Sequence, residues 1–141
     1  MTGNRNGITK EAEIELKSFL KSNNVSEAHH GDCVGADKNF HDVCKSHGIK
    51  IIIHPPNNNY QRSFCKSDVI KCVKPYLVRN KDIVNDTDIL IAFPSTKEEI
   101  IRSGTWSTIR YAKKENKKIL IVFSDGETKK INYNTQKIKN K

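Results

Sequence analysis

Three short apolar runs, "IKIIIHPP", "DILIAFP" and "KILIVF", do most to limit what this chain can fold into. They lack the polar/apolar alternation of a strand with one wet face, so each reads as a strand buried on both sides, as in a parallel sheet. Prolines follow two of them and stop the hydrogen-bond ladder. The segments between carry helical spacing instead. Thr9 is placed to cap a helix over residues 10–22, where Ala12, Leu16, Phe19 and Leu20 recur on one face. A second helix over about 35–47 would bury Ala36, Phe40, Val43 and Cys44, with Gly48 placed to end it. A third runs through Leu77, Ile83 and Val84, and a fourth opens at Gly104 and carries Ile109 and Ala112. Further strands are expected near 25–29, 89–93 and 119–123. This alternation predicts one α/β domain of Rossmann-like type, a mostly parallel sheet with helices on both faces.

Two places break the rhythm. The chain starts at "MTGNRNG" without an apolar run to feed that loop, so the first strand is cut short and its edge of the sheet is expected to need a partner. Residues 57–75 show no strong period beyond a short helical stretch around 63–72. A loop this long in a small domain reads as a lid, with Tyr60 and Arg62 as its working residues. The domain is taken to span residues 1–128. Residues 129–141, rich in lysine, read as a solvated and poorly ordered tail.

No run approaches the roughly 20 apolar residues of a membrane span, and the N-terminus lacks the apolar centre of a signal peptide. The expectation is a cytoplasmic protein with no membrane partner. Its four cysteines are then expected to be free thiols. The formal charge of +9 on 141 residues favours an anionic partner, which leaves a nucleotide, a nucleic acid or an acidic protein open.

Ligands of open parallel sheets bind beyond the carboxyl ends of the strands, where helix N-termini present unpaired N–H groups. Three glycine-containing stretches are placed there: "TGNRNG", "HHGDCVGAD" and "SGT". Glycine lets backbone approach an anion closely, so Gly3, Gly31, Gly35 and Gly104 are candidate phosphate-loop residues. Thr2, Ser103 and Thr105 would add hydroxyls and Arg5 a charge.

The order and spacing of "TGNRNGIT", "HHGDCVGAD", "HPP", "KPYLVRNKDIV", "DILIAFP" and "SGTWSTIRYAKK" resemble small bacterial and phage proteins of the SLOG superfamily. This is the Rossmann-like group that includes the cytokinin-activating LOG enzymes, and the resemblance covers about residues 2–126. It implies a nucleotide or nucleotide-derived ligand, glycine loops around its phosphates, Arg79 near ribose or phosphate with Asn80 beside it, and pairing of subunits through helices next to the site. LOG-type phosphoribohydrolases carry Pro-Gly-Gly-x-Gly-Thr-x-x-Glu. Here Gly104 and Thr105 match the Gly-Thr, but the glutamate position falls on Thr108, which cannot act as a carboxylate base. The chain is therefore read as a binder that senses or sequesters a nucleotide signal, a role that would suit phage counter-defence. It is expected to form a homodimer or higher even oligomer without a cofactor. The rival readings are a nucleotide hydrolase using Asp32, Glu98 or Glu99, and a protein that binds single-stranded nucleic acid.

Several residues admit a plainer role. Asp32 and Asp37 either contact ribose or cap the second helix. His30 with Cys33, and His41 with Cys44, have spacing that zinc could use, but the preferred reading is no metal, with Cys44 in the core and His30 lining a pocket. Trp106 either stacks on a base or packs within the protein.

Overall fold

The computed structural model describes residues 1–133, and within them the strand–helix alternation holds. In order these are β1 (Thr2–Gly3), α1 (Lys10–Ser22), β2 (Glu27–His30), α2 (Ala36–Ser46), β3 (Lys50–Ile53), β4 (Val69–Ile70), α3 (Tyr76–Asn85), β5 (Ile89–Phe93), α4 (Gly104–Lys114), β6 (Lys118–Val122) and β7 (Thr128–Ile131). β1, β5, β6 and β7 form one ladder and β2, β3 and β4 another, all parallel except the β6–β7 pair. The Met1 amino group donates to His29 O at 2.7 Å and links the two ladders. β1 therefore has β5 as its ladder partner on one side and meets β2 on the other through this one contact.

The double burial read from the apolar runs has a direct structural counterpart. Ile91 and Phe93 of β5, with Leu120 and Val122 of β6, pack with Ala12 and Leu16 of α1 and Phe40 of α2. Their neighbours Leu90, Ala92, Ile119 and Ile121 face the other way, onto Val84 of α3 and Trp106 and Ile109 of α4. Strand side chains alternate between faces, so a run apolar at every position needs a helix layer on each side. Thr9 caps α1 as expected, its Oγ1 accepting from Ala12 N at 3.1 Å.

Two expectations change. Residues 63–72 form no helix: after a single 3-10 turn (Asn59–Gln61) the chain is irregular until β4. The segment is held from outside, with Lys71 N donating to Ile53 O at 2.8 Å and the Ser67 hydroxyl donating to Ile51 O at 2.5 Å. The basic tail read from residue 129 begins inside β7, where Ile131 packs against the α3–α4 core. Residues 134–141 of that tail lie outside the described residues. Finally, β1 pairs with β5 only at Thr2↔Ala92 and Gly3↔Phe93, which leaves the amino-terminal part of β5 without a neighbour on that side. A cavity of about 380 Å³ fills the space, lined by Met1, Ala28, His29, Ile89 and Ile91 among others. Among the described residues no helix is long and apolar enough to cross a membrane.

Candidate functional site

The chain order runs from β1 outward through β2 and β3 on one side and from β5 through β6 on the other. The topological switch point therefore falls between β1 and β5, and a ligand crevice is expected at their carboxyl ends. There the structure brings together Thr2, Gly3, Asp37, Arg79, Asn80 and Thr105 from the expected set, around a cavity of about 30 Å³ that also touches Cys33 and Tyr76. That space holds one water at most. Tyr76 keeps it small, because its hydroxyl lies against the bare Cα of Gly104. Nothing in the spacing around Tyr76 singles it out; it is 39% exposed and starts α3 at the mouth of the crevice.

The loop over residues 31–37 behaves differently from a phosphate cradle. Gly31 N and Cys33 N donate to Asp37 Oδ2 at 2.8 and 3.3 Å, and Asp32 N donates to His30 Nδ1 at 2.9 Å. Val34 N donates to Gln61 O and Ala36 N to Asn4 O. These N–H groups are spent inside the protein. Asp37 thus braces the loop ahead of its helix, and burial pushes its carboxyl up while Arg79 and the two N–H donors pull against that. The glycines of the loop serve packing. A Cβ on Gly31 would strike the Arg79 guanidinium, and one on Gly35, at φ +93°, would strike the backbone of Arg5. Gly3 is needed because Ala36 approaches it directly.

Asp32 is fully buried at φ +56° and is not free to act on a ligand. Its carboxylate accepts from Arg62 Nε at 2.8 Å and from Cys65 N at 2.9 Å, while its carbonyl accepts from Ser63 N at 2.7 Å. Asp32 is the anchor of the segment over 57–75, and Arg62 is engaged in that anchor. A lid swinging on this segment would have to break the pair. Tyr60, the other residue expected there, is 98% exposed. Of the remaining acid candidates, Glu99 pairs with Arg110 at 2.8 Å on the surface.

Arg79 is 2% exposed. One terminal nitrogen donates to Gly31 O and His54 O, the other to Cys33 Sγ, and the guanidinium lies 5.4 Å from the centre of the Tyr76 ring. Its Nε has no partner among the described residues. Ser103 caps α4 by accepting from Trp106 N at 3.2 Å. Trp106 is core rather than a stacking platform, 5% exposed with its indole N–H toward Thr96 Oγ1. Thr108 donates to Gly104 O at 2.9 Å and is buried on its own helix, away from the cavity. Arg5 is exposed at the rim.

His30 is fully buried and joins His41 rather than the pocket, Nε2 to Nδ1 at 2.9 Å. Burial lowers the pKa values of both rings, which disfavours their charged forms. The two His-x-x-Cys pairs do not come together as read. The compact donor groups are instead His30, His41 and Cys65, and His29, His54 and Asp86. His54 stands in the quoted "HPP", but nothing in sequence spacing ties it to His29 across two strands. A scan of family models, a search of curated proteins and a search of solved structures each found no match to this chain.

Proposed function

We propose that the protein binds a nucleotide-derived anionic ligand at the carboxyl-end crevice between β1 and β5, as a sensor or a sequestering sink. One observation carries this reading: the buried Arg79 lines that crevice with one donor, Nε, left without a partner. A buried charged donor is costly unless an acceptor meets it, and a ligand oxygen or an ordered water is the acceptor that this place can receive. The N-terminus of α4 and the Thr2 and Thr105 hydroxyls favour negative charge beside it, and the exposed Arg5, whose charge acts on Tyr76, adds positive charge at the mouth. The phosphate contacts belong to this rim more than to the loop over 31–37, where the N–H groups of Gly31, Asp32, Cys33, Val34 and Ala36 already have acceptors within the protein. Tyr76 must swing away from Gly104 to admit a ligand, which makes it the gate of the site.

Mass spectrometry of the small molecules released when freshly purified protein is denatured tests the reading. An intact nucleotide-derived compound, present in wild type and depleted in Arg5→Ala, supports it. Free base or ribose phosphate would point to turnover, and no released compound from either protein would count against ligand capture.

A further inference from the structure

The second buried histidine pair lies on the sheet face beneath α3. His29 of β2 pairs in register with Ile52, so His54, two residues on, stands on the same face of the neighbouring strand. The rings are 6% and 3% exposed, their centres lie 5.1 Å apart, and His29 Nδ1 is 2.9 Å from His54 Nε2. Asp86, which follows α3, adds a carboxylate, and one donor atom from each of the three residues falls within 4.8 Å of the others. On the far side of His29, Nε2 lies 3.1 Å from Glu27 Oε1.

That last contact decides which nitrogen is available. A neutral imidazole has one lone pair, and because Glu27 accepts the Nε2–H, the lone pair of His29 sits on Nδ1, facing His54. His54 can present its own lone pair from Nε2 by keeping its proton on Nδ1. The result is two imidazole donors and a carboxylate converging, with a second carboxylate fixing the tautomer of one ring from behind. Protein metal sites recur to this arrangement. The other compact group, His30, His41 and Cys65, fails the same test. His30 Nδ1 already accepts the Asp32 N–H, so its Nε2 carries the proton and would have to become imidazolate to bind an ion.

We propose that His29, His54 and Asp86 bind a divalent transition-metal ion of the zinc class, with Glu27 orienting His29. Zinc–nitrogen bonds of about 2.0–2.1 Å put two ligands of a tetrahedral ion roughly 3.3 Å apart, so the rings need to part by only a few tenths of an ångström. Three protein donors leave one position open. His29 and Asp86 also line the 380 Å³ cavity beside β1, together with Glu27 and Asp88, so water or a small ligand can approach from there. The site ties β2 and β3 to the end of α3. It stands independently of the crevice at the carboxyl ends.

Competition titration of metal-stripped protein with zinc against a chromophoric chelator, and cobalt substitution read by visible absorption, test the proposal. It predicts one equivalent of tight zinc and tetrahedral cobalt bands with no thiolate-to-cobalt charge-transfer band. Asp86→Asn, at an exposed position, should weaken binding strongly, His54→Ala should abolish it, and Glu27→Gln should cost about 10- to 100-fold. Cys65→Ala should leave it unchanged. Absence of binding tighter than millimolar, survival of full affinity in both Asp86→Asn and His54→Ala, or a thiolate band lost in Cys65→Ala would each overturn the assignment.

Discussion

Asp32 shows how a residue in a glycine-rich turn can be structural throughout. Its carboxylate, with no exposed surface, holds Arg62 and the Cys65 N–H, and so pins the whole segment from 57 to 75. Asp32→Ala would strand a mostly buried guanidinium and an amide, and should cost about 3 kcal/mol, the lower end for a broken buried pair because Arg62 keeps some contact with water. Urea denaturation measures this, and a loss below about 0.5 kcal/mol, a surface-like value, would contradict the anchoring role. His30 and His41 set a pH dependence. Both have folded-state pKa values lowered by burial, so the unfolded chain binds more protons as pH falls through and below about 6.5. Their contribution is complete above that pH and is lost on acidification. Thermal melts from pH 8 to 5 should show a falling midpoint, and a flat profile would contradict buried neutral rings.

At the level of elements, Gly35 and Gly48 separate two reasons for glycine. Both have positive φ, +93° and +70°, but a Cβ on Gly35 meets the Arg5 backbone whereas one on Gly48 meets nothing within 4 Å. Gly48→Ala should cost about 1–2 kcal/mol, the left-handed penalty alone. Gly35→Ala should cost clearly more, because it also forces apart the β1–α1 and β2–α2 loops. Equal losses by chemical denaturation would remove that distinction. The elements themselves were legible where periodicity carries the information: α1, β5 and β6 follow from their apolar spacing, because the core that buries them imposes that spacing. What sequence could not supply was pairing at a distance. Asp32 looks like a ligand residue until Arg62 and Cys65 are seen to reach it. The His29–His54 contact spans two strands, and β1, read as a short first strand, meets β2 through a single hydrogen bond of the Met1 amino group. The residues of "HHGDCVGAD" were read as an anion cradle, whereas five N–H groups of that loop meet acceptors within the protein, and a loop's own internal hydrogen bonds leave no trace in its composition.

For the whole molecule, assembly and ligand capture are the open consequences. The α4 face that carries Trp106 is covered within the chain, so it is not the surface that would pair subunits. The exposed apolar side chains instead include Ile70 on β4, Val73 just before α3, and Leu77 and Val78 on α3 itself. Association of two copies across this surface is the expected outcome, and light scattering at micromolar concentration should give a dimer that Leu77→Asp returns to monomer; a monomeric wild type would contradict it. Capture of a nucleotide-derived anion at the β1–β5 crevice is decided by isothermal titration calorimetry against nucleoside monophosphates, cyclic nucleotides and ADP-ribose-type compounds. Saturable one-to-one binding to at least one of these is expected, weakened about tenfold in Arg5→Ala by loss of a charge-assisted contact worth about 1.4 kcal/mol. No heat of binding with any of them, or equal affinity in wild type and Arg5→Ala, would contradict it.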